Sequence, residues 1–148
     1  SLVLWYARKD YTCNLKEEVE IMYRELAPKI SDSELEVMRV LWRADAPLPV
    51  TEIREALQKS RGWEATTVKT LVSRLVTKGV LRQEKRGVFY YFPRISEAQY
   101  NDWATHDLIS RVYHGSARDL VAALVRSDGL TQADIDELRD LFTLEEES

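Results

Sequence analysis

Cysteine is almost missing from this sequence: Cys13 is the only one among 148 residues. A lone thiol cannot close an intramolecular disulfide or build a cysteine cage for zinc or copper. That usage fits a reducing compartment, and the cytoplasm is the expected location. Long apolar runs are missing too. None approaches the roughly 20 residues that a membrane helix needs, so no membrane partner is expected. The opening run Ser1-Leu2-Val3-Leu4-Trp5-Tyr6 is too short for a signal-peptide core and gives way to Arg8, Lys9 and Asp10. Histidine is scarce. His106 and His114 would lie about 12 Å apart along a helix at roughly 1.5 Å per residue, too far to chelate one metal from one chain. They read as solvated or packed side chains, with a site shared across a dimer as the alternative. Asp134, Asp136 and Glu137 lack the glycine and spaced ligands of a calcium loop. There is no phosphate-binding glycine loop and no Ser-His-Asp or Cys-His grouping. Neither an enzyme nor a cofactor is expected.

What is present is unevenly distributed. The formal net charge is −4, which by itself argues against a nucleic-acid partner. Residues 30–94, however, hold 12 Lys/Arg against 8 Asp/Glu, whereas 95–148 hold 4 against 12. Within 61–94 the balance is 8 basic to 2 acidic. A basic half joined to an acidic half implies that one half meets a polyanion and the other has a different task. The length suffices for one domain, or for two small ones sharing a dimer.

Helical signals open the chain's ordered reading. Lys16 to Leu26 can be helical, and Pro28 should stop it. Ser31-Asp32-Ser33-Glu34 is a capping box, predicting a helix to about Arg43 with Leu35, Met38, Leu41 and Trp42 as its apolar stripe. Ala46-Pro47-Leu48-Pro49 reads as a turn and a short extended piece. Thr51 can cap a second helix to about Lys59, burying Ile53, Ala56 and Leu57. A third helix is expected from about Ala65 to Lys78, with Gly79 as its C′ residue. Two β-prone runs, 80–84 and 88–93, flank Lys85-Arg86-Gly87 and predict a hairpin. Ser96-Glu97-Ala98-Gln99 is a second capping box, for a helix to about Tyr113 that carries Trp103, Leu108 and Val112. Ser116 can cap a helix through about Arg126. Thr131 can cap a last one with Ile135, Leu138, Leu141 and Phe142 as its stripe. Glu145-Glu146-Glu147 reads as a frayed acidic end. The expected class is mainly α with a small β-hairpin wing. Three helices and a hairpin form a winged helix-turn-helix at 30–94, after an extension at 1–29 and before a helical region at 95–148.

The third helix divides at about 100° per residue. Val68, Leu71, Val72, Leu75 and Val76 take one side. Thr66, Thr67, Lys69, Thr70, Ser73, Arg74, Thr77 and Lys78 take the other, which has hydroxyls and cations but no carboxylate. Such a face does not repel phosphates, and its short hydroxyls let the backbone approach a groove floor. The helix N-terminus also favours a phosphate, with Glu64 weakening that locally. The bland alternative is a solvated face that happens to lack acids. In the hairpin, Arg82, Lys85 and Arg86 are expected to cluster near the tip and contact phosphate or the minor groove. The alternative there is a solubilising turn. Phe89, Tyr90, Tyr91 and Phe92 suit base stacking, but strand alternation should turn about half of them inward, which favours core and dimer packing.

These residues together resemble a known family. Ile30 to Met38 followed by Leu41-Trp42 looks like the opening of the penicillinase-repressor and copper-transport-repressor (BlaI/MecI/CopY) family. Trp63, Thr67-Val68, Thr70 to Leu75 and Lys78 to Leu81 resemble its recognition helix. Gly87 to Pro93 resembles its wing. Ile95 to Tyr100, Gly115-Ser116 and Ile135 to Leu138 resemble its dimerisation region. The resemblance implies a homodimeric repressor that reads a palindromic double-stranded operator, often of a TACA/TGTA kind. Thr66, Thr67, Lys69, Thr70, Ser73 and Arg74 would take the recognition role, and Arg82, Lys85 and Arg86 the wing role. The C-terminal helices of two chains would interlock. The competing reading is a winged helix that binds a protein partner through Leu, Tyr and Trp surfaces.

Three departures from the family pattern stand out. The paired Cys-x-Cys motifs of the copper-responsive branch are absent, so a cysteine-based copper switch is not expected. The Asn-Phe pair cleaved in the β-lactam branch is absent from Leu120 to Val125, leaving cleavage there without support. Finally, family members usually begin shortly before the position of Ile30. Lys16-Glu17-Glu18 can be encoded by AAGGAGGAG, a purine-rich ribosome-binding sequence upstream of Met22. Part of 1–21 is then a translated leader, or else 1–29 is a genuine extension. N-terminal sequencing of the native protein separates the two, since any peptide from 1–21 rules out the leader.

Overall fold

The structure, a computed structural model, describes residues 22–147, with side chains through Leu144. The suggested leader and the start of the Lys16 helix lie outside the described residues. The backbone is helical over 22–26 and tightens into a 3-10 turn at Ala27–Lys29, where Pro28 sits in the first turn. Leu26, Ala27 and Ile30 are buried in the main core.

Ser31 begins the first long helix, α1 (Asp32–Ala44), through the expected reciprocal cap. The Glu34 backbone N–H donates to Ser31 Oγ at 3.2 Å, and the Ser31 N–H donates to Glu34 Oε1 at 2.9 Å. Two otherwise orphaned donors are satisfied. Ser31→Ala is expected to cost about 1 kcal/mol, read as a lower urea midpoint with an unchanged slope. The helix ends at Asp45 in the left-handed region, φ 49°. Its buried stripe is Glu34, Val37, Met38 and Leu41. The stripe read from the sequence is thus rotated: Leu35 and Trp42 sit at its margin, and a carboxylate occupies its first position.

A short strand, β1 (Leu48–Pro49), leads directly into α2 (Val50–Arg61). The cap is Pro49, with no side-chain hydrogen bond. The expected cap, Thr51, lies inside the helix, because the extended conformation ends at Pro49 and helical geometry starts at the next residue. Ile53 and Leu57 are buried as expected, and Ala56 only partly. The third helix, α3 (Ala65–Thr77), buries Val68, Leu71, Val72 and Leu75. It closes in a Schellman arrangement: the Gly79 N–H reaches Val76 O at 3.0 Å and the Val80 N–H reaches Leu75 O at 2.9 Å. Gly79 takes φ +82°, a conformation with a steric penalty for any residue bearing a Cβ.

The hairpin consists of β2 (Leu81–Arg86) and β3 (Val88–Pro93), reversing at Gly87 with φ +78°. β1 adds to its outer side, giving an antiparallel sheet in the order β1-β3-β2 with Leu48 opposite Tyr91. Three helices, a hairpin and this third strand make a winged helix. Its core is one apolar cluster from all three helices, Val80, Leu81 and Ile95. Each large apolar side chain buried there contributes roughly 1.5–3 kcal/mol.

Ser96 and Gln99 cap α4 (Glu97–Val112) as the sequence implies, with bonds of 2.9 and 3.1 Å. Its first turns dock on α1. The Trp42 indole N–H donates to Ile95 O at 2.9 Å, and the Trp42, Tyr100 and Trp103 rings follow one another at 5.9 Å centroid spacings. By packing, the chain divides into two compact units between Ala104 and Thr105, inside α4. The second unit holds the rest of α4, α5 (Ala117–Arg126) and α6 (Gln132–Glu147). Ser116 and Thr131 provide the caps. None of its described side chains is buried.

Candidate nucleic-acid interface

The buried stripe of α3 fixes which of its residues face outward. Thr66, Thr67, Lys69, Thr70, Ser73, Arg74 and Thr77 are all exposed. Five of the predicted residues (Thr66, Lys69, Thr70, Ser73 and Arg74) line one open groove of about 520 Å³ with Thr77 and Lys78. Thr67 is exposed but lies outside it. Lys69 and Arg74 make no ion pair with any described residue, so their charges are available to an external anion. The hydroxyls are less free than their exposure suggests. Thr70 Oγ1 donates to Thr66 O at 2.9 Å and Thr77 Oγ1 donates to Ser73 O at 3.0 Å. A hydroxyl whose proton is held by the i−4 carbonyl presents its methyl and its lone pairs. Thr70 therefore suits an apolar contact, such as a thymine methyl, better than donation to phosphate.

Lys78, on the polar side of the helix by periodicity, is turned to a structural task. Its Nζ donates to Glu34 Oε1 at 2.6 Å and to Lys29 O at 2.9 Å. Glu34 is only 1 % exposed, and its Oε2 has no partner among the described residues. Burial pushes the Glu34 carboxyl up, but the bonds from Lys78 and Ser31 together outweigh it and hold it below its ordinary value of 4.5. No local signal marks this pair, because its members are 44 residues apart.

In the wing, strand alternation separates the three predicted cations. Register pairs Arg82 with Phe92, Glu84 with Tyr90 and Arg86 with Val88, so these six share one face. Lys85 pairs with Phe89 on the opposite face, along with Leu81 and Tyr91. The expected single cluster is thus corrected to two arginines on one side and a lysine on the other. The aromatic run divides in the same way. Phe89 and Tyr91 share one face and Tyr90 and Phe92 the other. Tyr91 packs against the core, where burial raises its phenol above its usual value, and Phe89, on the same face nearer the tip, is 44 % exposed. Arg82 and Arg86 both lie over the Phe92 ring, at 5.0 and 5.6 Å. This Phe92 contact was not anticipated. The alternation of β2 and β3 is the signal that could have revealed it.

Among the described residues no group of three His, Cys, Asp or Glu side chains could hold a metal. No described helix is long and apolar enough to cross a membrane. A recognition-type helix with an acid-free outer face, followed by a basic wing, defines a DNA-binding winged-helix regulator of transcription. Residues 30–143 match the penicillinase repressor family, and the chain belongs to it. It is similar to the penicillinase repressor of Bacillus licheniformis, 37% identical over 78% of this chain and 90% of that one. It is also similar to the methicillin resistance regulatory protein MecI of Mammaliicoccus sciuri, 32% identical over 77% and 93%. Among solved structures, it is similar to the Bacillus licheniformis BlaI monomeric form in complex with the blaP half-operator. That likeness is 42% identical with TM-score 0.44, covering 49% of this chain and 89% of the other. The family consists of repressors and not of enzymes.

Proposed function

We propose that this protein is a homodimeric transcriptional repressor that binds a palindromic double-stranded operator. The carrying observation is the outer face of α3, where Lys69 and Arg74 stand without ion-pair partners among the described residues and no carboxylate intervenes. In this reading α3 enters the major groove, with Thr66, Thr67, Lys69, Thr70, Ser73 and Arg74 toward bases and adjacent phosphates. Arg82, Lys85 and Arg86 neutralise backbone charge beside it. The chemistry is non-covalent: phosphate contacts supply affinity, and base-edge contacts supply sequence choice. The names of its relatives, a penicillinase repressor and a methicillin resistance regulatory protein, support repression as the outcome.

The second unit provides the argument for the dimer. Of the eleven exposed large apolar side chains among the described residues, nine lie beyond Thr105, including Val121, Leu124, Val125, Leu141 and Phe142. Helices of this length are marginal in water unless an apolar face is covered. A second copy of the same region covers both sets at once, in the self-complementary manner of a two-fold interface. Sedimentation of the full chain at micromolar concentration should give a dimer, whereas a compact monomer would contradict this role. Footprinting on DNA flanking the coding region tests the function itself. Protection of a palindrome with two half-sites about one helical turn or its multiples apart is expected. Absence of any protected site in the presence of folded dimer would reject the proposal.

A further inference from the structure

Glu84 is the one carboxylate among the β2 and β3 residues, and it lies between two of the cations assigned to DNA. Its Oε2 is 3.4 Å from Arg82 Nη2 and its Oε1 is 3.4 Å from Arg86 Nε. The same two guanidiniums lie over the Phe92 ring, which pairs across the ladder with Arg82. One anion and one aromatic face thus hold two long, flexible side chains in a fixed spread. All three charged groups remain roughly half exposed.

We propose that Glu84 is an internal counterion of the wing, which keeps Arg82 and Arg86 arranged over Phe92 in the free protein and yields them to DNA phosphates on binding. This rests on the DNA-binding reading above. The physical case has three parts. The contacts are long and solvent-exposed, and such pairs are weak and easily exchanged. A phosphate offers more acceptor oxygens than Glu84 and forms short, forked bonds with a guanidinium. The Phe92 face keeps its attraction for both cations whether the anion is Glu84 or phosphate, so the arginines need not be reordered during exchange. Glu84 also places a negative charge beside the incoming backbone and lowers the wing's net charge. It therefore restrains sequence-independent affinity, and its effect should be the same on any duplex.

The test is Glu84→Gln in the full chain, titrated by fluorescence anisotropy against an operator duplex and a scrambled duplex over a range of salt. The variant should bind both duplexes several-fold more tightly at low salt. Its log–log salt slope should steepen by up to about 0.9 per half-site, the contribution of one additional neutralised phosphate in each. The ratio between the two duplexes should stay constant, and the melting midpoint should be unchanged. Phe92→Leu, which keeps an apolar side chain but removes the π face, should weaken both duplexes, and Phe92→Tyr should restore them. Unchanged or weaker binding by Glu84→Gln, with wild-type binding intact, would overturn the proposal. Failure of the wild type to bind either duplex would reject the DNA-binding reading instead.

Discussion

Replacing Lys69 and Arg74 together by alanine is expected to weaken operator binding on the order of 100-fold, with at least about 10-fold from each. The fold should survive. Both residues are exposed, neither is in an ion pair with a described residue, and alanine is a better helix former than either. The two losses should differ in kind. Arg74 sits in the last turn of α3 and can fork onto a guanine edge or a phosphate. Lys69, a compact charge on a flexible stem, suits phosphate. If Lys69→Ala reduces the salt slope by about 0.9 per half-site and leaves selectivity unchanged, it is a backbone contact. If Arg74→Ala also relaxes preference at one base pair, it reads sequence. A gel-shift titration in which both single variants bind like the wild type would reject the assigned face.

Lys78→Met is expected to destabilise the winged helix by about 3 kcal/mol. The methionine keeps most of the packed stem but leaves the buried Glu34 carboxylate without its cation, and breaking such a pair typically costs about 3–5 kcal/mol. The loss should depend on pH with a defined sign. In the wild type the folded pKa of Glu34 lies below its ordinary value of 4.5. Its contribution is therefore fully present above about pH 5 and is lost as pH falls through the lowered folded value. In Lys78→Met the Ser31 bonds alone oppose burial, so the folded pKa rises relative to that of the wild type. The folded variant then binds the proton more tightly than the folded wild type does, so its deficit relative to wild type should shrink as pH falls through the acid range. Glu34→Gln in the Lys78→Met background should recover part of the loss at neutral pH. Urea denaturation at pH 7 and pH 4 checks both statements. Equal losses at the two pH values would show that the pair is not the source of the effect.

What the sequence reveals here follows from chain distance. The capping boxes at Ser31 and Ser96 were legible because both partners lie within one helical turn. The outward face of α3 was legible because its apolar residues repeat at helical spacing, and the hairpin because β-prone runs flank Gly87. The family motifs gave the order of these elements. Contacts that depend on the finished fold left no local trace. Lys78 had every mark of a surface cation until α1 brought Glu34 to it, and β1 acquired meaning only when Leu48 met Tyr91. The separation of Lys85 from Arg82 and Arg86 is a different case. Adjacent strand residues point to opposite faces, so period two already carried that information, and the charge count along the tip concealed it. The misplaced cap at Thr51 has a similar origin: a favourable residue type stood two positions past Pro49, the cap that the preceding strand allowed.

The measurement that tests the central claim most directly is the salt dependence of duplex binding by the intact wild-type chain. Two protomers presenting Lys69, Arg74 and the wing cations should release several counterions. Affinity for a palindrome-containing duplex should then fall on the order of 10³-fold or more between 50 and 200 mM salt. A change of less than about twofold over that range, or no duplex binding even at 50 mM, would contradict the account and favour a winged helix that meets a protein partner.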